Sequence, residues 1–166
     1  MANIAKHTYI DEPLEPSMKN PLLILALIIF SYPALGQSFN LQPDHATILV
    51  SDLDRSAVFY KNVLQLKELE TPWGENPSLR FFAIGNNQQL HLVRGETDEI
   101  KLEKSIHIAF AVTDFDRYLS FLSDTGVAYS NFEGDSNQYQ TRPDGVKQVY
   151  LQDPDGYWIE INDAKH

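Results

Sequence analysis

The chain has no cysteine among its 166 residues. Disulfides, thiolate zinc sites, cysteine nucleophiles and lipid attachment at an N-terminal cysteine are therefore excluded. Basic charge is scarce as well: 13 lysines and arginines stand against 23 acids, for a formal net charge of −10. Such a chain does not attract phosphate backbones, so nucleic acid is not an expected partner. No basic run is present to hold anionic lipid. Apolar runs are short, since PLLILALIIF at 21–30 falls well below the ~20 residues that span a bilayer. What is present is 43% hydrophobic and 11% aromatic residues, enough for one globular domain with a real core.

The apolar run at 21–30 follows Lys19 and precedes Ser31-Tyr32-Pro33-Ala34-Leu35-Gly36. A basic start, a short apolar stretch and small residues spaced as Ala34-x-Gly36 predict a secretory signal peptide cut after Gly36. Met18 is the natural initiator for it, and the mature product would be secreted or periplasmic, with no stable membrane insertion. An uncleaved signal anchor is the alternative. Residues 1–36 are accordingly set aside, and 37–166 are expected to form a single domain.

That domain contains a repeat. His45-Ala-Thr-Ile-Leu-Val50-Ser-Asp52-Leu-Asp54-Arg55 matches His107-Ile-Ala-Phe-Ala-Val112-Thr-Asp114-Phe-Asp116-Arg117. Each begins as an apolar strand and ends in aspartates suited to capping a helix. Helical spacing follows in both: Phe59 with Val63 and Tyr60 with Leu64 in the first, Phe115, Leu119 and Leu122 in the second, where Gly126 supplies a left-handed end. Three strands are expected after each helix, at 66–70, 79–84 and 88–93, then at 127–132, 147–152 and 157–162. Gly85-Asn86-Asn87 and Asp153-Pro154-Asp155-Gly156 supply hairpin turns. The pattern is βαβββ twice, about 43–95 and about 104–163, which predicts an α+β fold of two modules whose mixed sheet curls around a common point.

Three internal histidines fall in these strands. His45 and His107 open the first strand of their modules. His91 sits within Leu90-His91-Leu92 and Glu160 within Ile159-Glu160-Ile161, at equivalent places in the two last strands. Neighbouring side chains on a strand point to opposite faces, so the leucines and isoleucines face one way and His91 and Glu160 the other. A lone strand histidine is ordinarily a packed residue, but four ligand-type residues at two equivalent pairs point to one divalent metal. Imidazole nitrogen and carboxylate oxygen suit Zn, Ni, Fe, Mn or Co, and four protein ligands leave room for substrate oxygens.

Asp44-His45, Asp54-Arg55, Phe59-Tyr60-Lys61-Asn62-Val63-Leu64, His107 and Asp153-Pro154-Asp155-Gly156-Tyr157-Trp158-Ile159-Glu160 resemble the glyoxalase, bleomycin-resistance and ring-cleaving dioxygenase superfamily, the vicinal oxygen chelate group. The resemblance covers about 43–163. It implies two βαβββ modules around a metal held by His45, His91, His107 and Glu160, and a small-molecule substrate. It also implies a glyoxalase-like lyase or isomerase, in which Glu160 takes a proton beside a carbonyl. The modules pair either within one chain or across a homodimer; in the second case His45 and His91 of one subunit share a metal with His107 and Glu160 of the other.

The chain departs from the glyoxalases in carrying His91 where they usually have Glu, and none of Arg80, Arg94 and Arg142 stands out as a glutathione-binding arginine. Gln65 replaces the glycine usual after the helix. An alternative is an extradiol-type dioxygenase using His45, His107 and Glu160 on iron, with Tyr150 behind the glutamate. A non-catalytic small-molecule-binding protein of resistance type is another. Tyr150, Arg142 and Trp158 are candidate substrate contacts, with Tyr139 near them, and Trp73 is a candidate lid or dimer contact.

Overall fold

The computed structural model describes residues 41–97 and 101–165. The N-terminal extension and the expected signal peptide, within 1–36, lie outside the described residues. The part of the chain from Gln42 to His166 forms one compact unit. No helix among the described residues is long and apolar enough to cross a membrane.

The first module runs β1 (His45–Val50), α1 (Leu53–Asn62), β2 (Lys67–Leu69), β3 (Leu79–Ala83) and β4 (Gln89–Arg94). The second runs β5 (His107–Ala111), α2 (Phe115–Asp124), β6 (Gln140–Thr141), β7 (Lys147–Gln152) and β8 (Trp158–Asn162). Each makes a four-stranded mixed sheet, ordered β1-β4-β3-β2 and β5-β8-β7-β6. In both, the first strand lies parallel to the last and the remaining pairs are antiparallel. This is the βαβββ repeat expected from the sequence.

Alternation along each strand builds the core. Ile48 and Val50 of β1, Leu90 and Leu92 of β4, Val149 and Leu151 of β7, and Ile159 and Ile161 of β8 are all buried. They join one cluster with Leu53, Ala57 and Tyr60 of α1 and Phe115 of α2. Each such large side chain contributes roughly 1.5–3 kcal/mol on burial, so these rows fix which face of each strand points inward. The opposite face is then free to carry polar residues.

Asp52 caps α1 by accepting from Asp54 N at 3.1 Å and Arg55 N at 3.0 Å. Asp114 caps α2 by accepting from Arg117 N at 3.1 Å. The β7–β8 turn of the second module docks on the first. Asp155 accepts from Ser51 N (3.0 Å), Ser51 Oγ (2.5 Å), Ser56 Oγ (3.0 Å) and Thr97 Oγ1 (3.1 Å), with Arg55 Nη2 at 3.4 Å. Beside it, buried Tyr60 donates to Asp153 Oδ2 at 2.9 Å.

One strand differs from expectation. Residues 127–132 form no strand; only Ser130 bridges, to Tyr150 and to Ser136, and the edge strand is Gln140–Thr141. Asn131 explains the difference, because its Oδ1 accepts from Gly134 N (2.9 Å) and Asp135 N (2.8 Å). Such local side-chain bonds close a turn in competition with a ladder.

Candidate metal centre

In the first module, His45 stands opposite Gln89 and His91 opposite Thr47. That two-residue stagger places both histidines on the face away from the core, with rings stacked at 4.3 Å between centroids and 15° between planes. The far face of His91 lies on Phe81 of β3, at 3.6 Å and 5°. Trp73 meets Phe81 edge-on at 6.0 Å. His45 Nδ1 is 2.5 Å from Asp44 Oδ2. A carboxylate only accepts, so Nδ1 carries a proton and Nε2 is the nitrogen available as a ligand. His91 Nε2 is 2.9 Å from Gln89 Oε1. Burial, and then the neighbouring His45, hold the His91 pKa below the ordinary histidine value against the pull of Asp44. Neutral imidazole is the form that binds metals.

The second module repeats the stagger, with His107 opposite Trp158 and Glu160 opposite Ala109. His107 Nε2 and Glu160 Oε2 are 3.2 Å apart. The other ring nitrogen, Nδ1, is 2.8 Å from the Lys104 carbonyl oxygen. A carbonyl cannot donate, so Nδ1 holds a proton, and Nε2 is the nitrogen turned toward the carboxylate oxygen; with Nε2 bare, both would be acceptors. Two acceptors facing each other need a cation between them or an added proton. The donor set thus fits a divalent metal.

Glu160 is buried and tightly held. Asn162 Nδ2 donates to Oε1 at 2.7 Å and Tyr150 OH donates to Oε2 at 2.8 Å. Burial first, and then the bond to Glu160 and its charge, raise the Tyr150 pKa far above the ordinary phenol value, while Arg142 opposes this. Tyr150 therefore stays a donor. Because its single proton goes to Glu160, the Gln148 group 2.8 Å from the same phenol oxygen must be the amide NH2. Gln148 Oε1 is then buried with no partner.

The candidate substrate residues flank this half. Tyr150 is buried against it, and Trp158 donates from Nε1 to Leu102 O at 3.0 Å. Arg142 is turned aside to Asp144 through Nε at 3.1 Å and through Nη2, and its charge is still felt at Glu160 and Tyr150. A cavity of about 380 Å³ is lined by Lys104, Ser130, Tyr150, Gln152 and Trp158 among others. Of the other arginines considered, Arg80 is engaged by Asp54 at 3.0 Å and Glu68 at 3.5 Å.

The four proposed ligands therefore come together as two pairs, one in each module. Among the described residues, no three His, Asp or Glu side chains gather as a metal-holding group. Within one chain the two halves remain separate. Sequence reasoning missed Gln148, Asn162 and Lys104. Strand parity could have found the first two, since both share the face of Glu160; the last acts from a loop and left no periodic signal.

The glyoxalase/bleomycin resistance protein/dioxygenase superfamily model matches residues 42–161. The chain belongs to that superfamily. The uncharacterized protein YwbC of Bacillus subtilis is 29% identical over 127 residues, covering 71% of this chain and 94% of the relative. The metallothiol transferase FosB of Shouchella clausii is 27% identical over 122 residues, covering 72% of this chain and 77% of the relative. Among solved structures, the oxidase ChaP-H2 superposes with a TM-score of 0.62 at 23% identity, covering 77% of this chain and 97% of that one, which shows a shared fold. Membership in the superfamily places this chain beside lyases, transferases and dioxygenases built on the same two modules.

Proposed function

We propose that this superfamily member is a metal-dependent lyase or isomerase of glyoxalase-like type, acting on a small oxygen-chelating substrate. The observation that carries the reading is His107 Nε2 set 3.2 Å from Glu160 Oε2, a ring nitrogen and a carboxylate oxygen that one divalent ion can join. A bound divalent ion, drawn from Zn, Ni, Fe, Mn or Co, would supply Lewis acidity toward the substrate oxygens. Glu160 is the candidate base. Tyr150, Arg142 and Trp158 border the substrate, and Gln148 Oε1 offers an acceptor to a donor group on it.

The site is completed between two copies: His45 and His91 of one protomer face the partner's His107 and the partner's Glu160. Exposed apolar residues support this. Leu49 shares the face of His45, Trp73 rests on the Phe81 ring that stacks on His91, and Phe132 rests on Tyr150; all three are exposed in the single chain. Residues 18–36 serve as an export segment; N-terminal sequencing of the mature protein should begin at Gln37.

A second reading is thiol transfer. Glu160 accepts from Tyr150 and Asn162 and faces His107, which favours a fixed ligand over a mobile base, and a relative carries the name metallothiol transferase. Metal-loaded protein separates the readings. Exchange of solvent deuterium at a carbon beside a substrate carbonyl supports the lyase or isomerase, and loss of free thiol supports the transferase. Oxygen uptake on catechols with iron at His45, His107 and Glu160 supports a dioxygenase, and binding without turnover supports a sequestering protein. Mixing His45→Ala with His107→Ala protomers tests the shared site. Each variant alone is inactive, and each mixed dimer regains one intact site. No recovery on mixing overturns the shared site.

A further inference from the structure

Lys104 lies in the turn that leads into β5, where Ile106 N donates to Glu103 O at 2.8 Å. Its ammonium is filled by three acceptors, Ser130 Oγ at 3.1 Å, Asn131 O at 2.8 Å and Phe132 O at 3.0 Å. It also stands 4.7 Å from the centre of the Trp158 ring and 5.7 Å from that of Tyr150. Three donors matched by three oxygens and two aromatic faces hold an ammonium far more firmly than a solvated surface lysine is held. Ser130 is in turn joined to Tyr150 by two backbone bonds, at 2.9 and 2.8 Å. The Lys104 carbonyl takes the His107 Nδ1 proton at 2.8 Å.

We propose that Lys104 is a positioning residue that sets both ligands of the second module at once: His107 through its carbonyl, and Glu160 through Tyr150. The inference rests on the reading of His107 and Glu160 as ligands. The side chain is the anchor. Among the described residues, the hydrogen bonds that tie 102–106 to the 130–132 loop all run from this ammonium, while Leu102 is held separately by Trp158 of β8. With the ammonium gone, the Lys104 carbonyl loses its fixed aim, and His107 Nδ1 loses its dedicated acceptor. The proton can move to Nε2, the nitrogen that must stay bare to bind a metal. The Tyr150 hydroxyl, which orients the Glu160 carboxylate, loosens at the same time.

The test uses full-length protein and reads two properties, neither of them turnover. The first is the His107 tautomer, from long-range proton–nitrogen correlation spectra of metal-free protein at pH 8. The second is the dissociation constant for Co(II). Wild type should show protonated Nδ1. Lys104→Met should gain His107 with Nδ1 bare and the proton on Nε2, and weaken Co(II) binding about 10–100-fold, the range for groups that orient metal ligands. Lys104→Arg, which keeps a cation among the carbonyls, should recover part of both. Ser130→Ala removes one acceptor with the charge intact and should shift both readouts in the same direction by less, so the inference stays testable if Lys104→Met does not fold. Lower thermal stability with an unchanged tautomer and Co(II) affinity within two-fold overturns the proposal and leaves Lys104 a scaffold residue. Wild type that binds no Co(II) but shows the Lys104-dependent tautomer sinks the metal reading alone.

Discussion

Tyr150 and Glu160 lie opposite each other on β7 and β8, and the phenol proton is committed to Oε2 of the carboxylate at 2.8 Å. That commitment fixes the Gln148 amide, steadies the oxygen facing His107, and leaves one unmatched acceptor beside the site. Tyr150→Phe should therefore weaken metal binding about ten-fold, the low end for groups that orient ligands. Stability should fall by ~2–3 kcal/mol, since the phenol's bonds to Glu160 and from Gln148 both go and the buried Gln148 amide is left without its acceptor. Metal titration beside thermal melts checks both, and unchanged affinity would show that Asn162 alone orients the carboxylate.

The ligand count is read by elemental analysis of purified variants. His107→Ala and Glu160→Ala each remove half of the second-module pair and should abolish stoichiometric metal. His91→Ala asks a finer question. His91 is sandwiched between His45 and Phe81 with Nε2 2.9 Å from Gln89 Oε1. If it ligates, affinity falls steeply; if it only supports the His45 ring, metal is retained with a three-ligand set.

The junction between the modules is sensitive to acid. Burial pushes the Asp155 carboxyl up, but hydrogen bonds from Ser51, Ser56 and Thr97 push it further down, so its folded pKa lies below the ordinary value. The sign follows: stabilisation is complete above the unfolded pKa of about 3.9 and is lost as pH falls through the depressed folded value. Neighbouring Asp153 is raised, chiefly by burial, and contributes in the opposite sense. Comparing wild type with Asp155→Asn isolates one from the other. At neutral pH the variant should be ~2–3 kcal/mol less stable, since its bonds are to a charged acceptor. The difference should shrink as the pH falls below about 4. Chemical denaturation across that window measures it, and a constant gap would show that the charge of Asp155 is unimportant.

Gln65 sits at φ 55° just beyond α1, in the left-handed region where a glycine is at home. A side chain there costs ~1–2 kcal/mol, against ~0.5–1 kcal/mol of extra unfolded-chain freedom for glycine. Gln65→Gly should thus stabilise by ~0.5–1 kcal/mol and raise the melting temperature by about 2–4 °C. Gln65→Ala, which keeps the side-chain clash, should show no gain.

Much of this was legible in the chain because it rests on local periodicity. The matched His45 and His107 segments announced the duplication, and the alternation around His91 and Glu160 told which way each points. The aspartate caps at 52 and 114 followed from their place before apolar helical spacing. Other features depend on contacts between distant segments. The Asn131 turn displaced a strand that apolar content alone favoured at 127–132. Lys104 reads as an ordinary charged loop residue until the 130–132 carbonyls surround it. The division of the ligands into two pairs depends on how the modules pack, which no spacing records.

The two tryptophans fall one to each half. Trp73 meets the ring that stacks on His91, and Trp158 follows its strand neighbour's face beside Glu160 and hangs over the Lys104 ammonium. The molecule therefore carries a built-in pair of optical reporters. With Trp158→Phe, emission comes from the imidazole side; with Trp73→Phe, from the carboxylate side. Quenching by a paramagnetic ion such as Co(II) then reads out each side on its own, and simultaneous onset in both would mark the moment the two sides close on one ion.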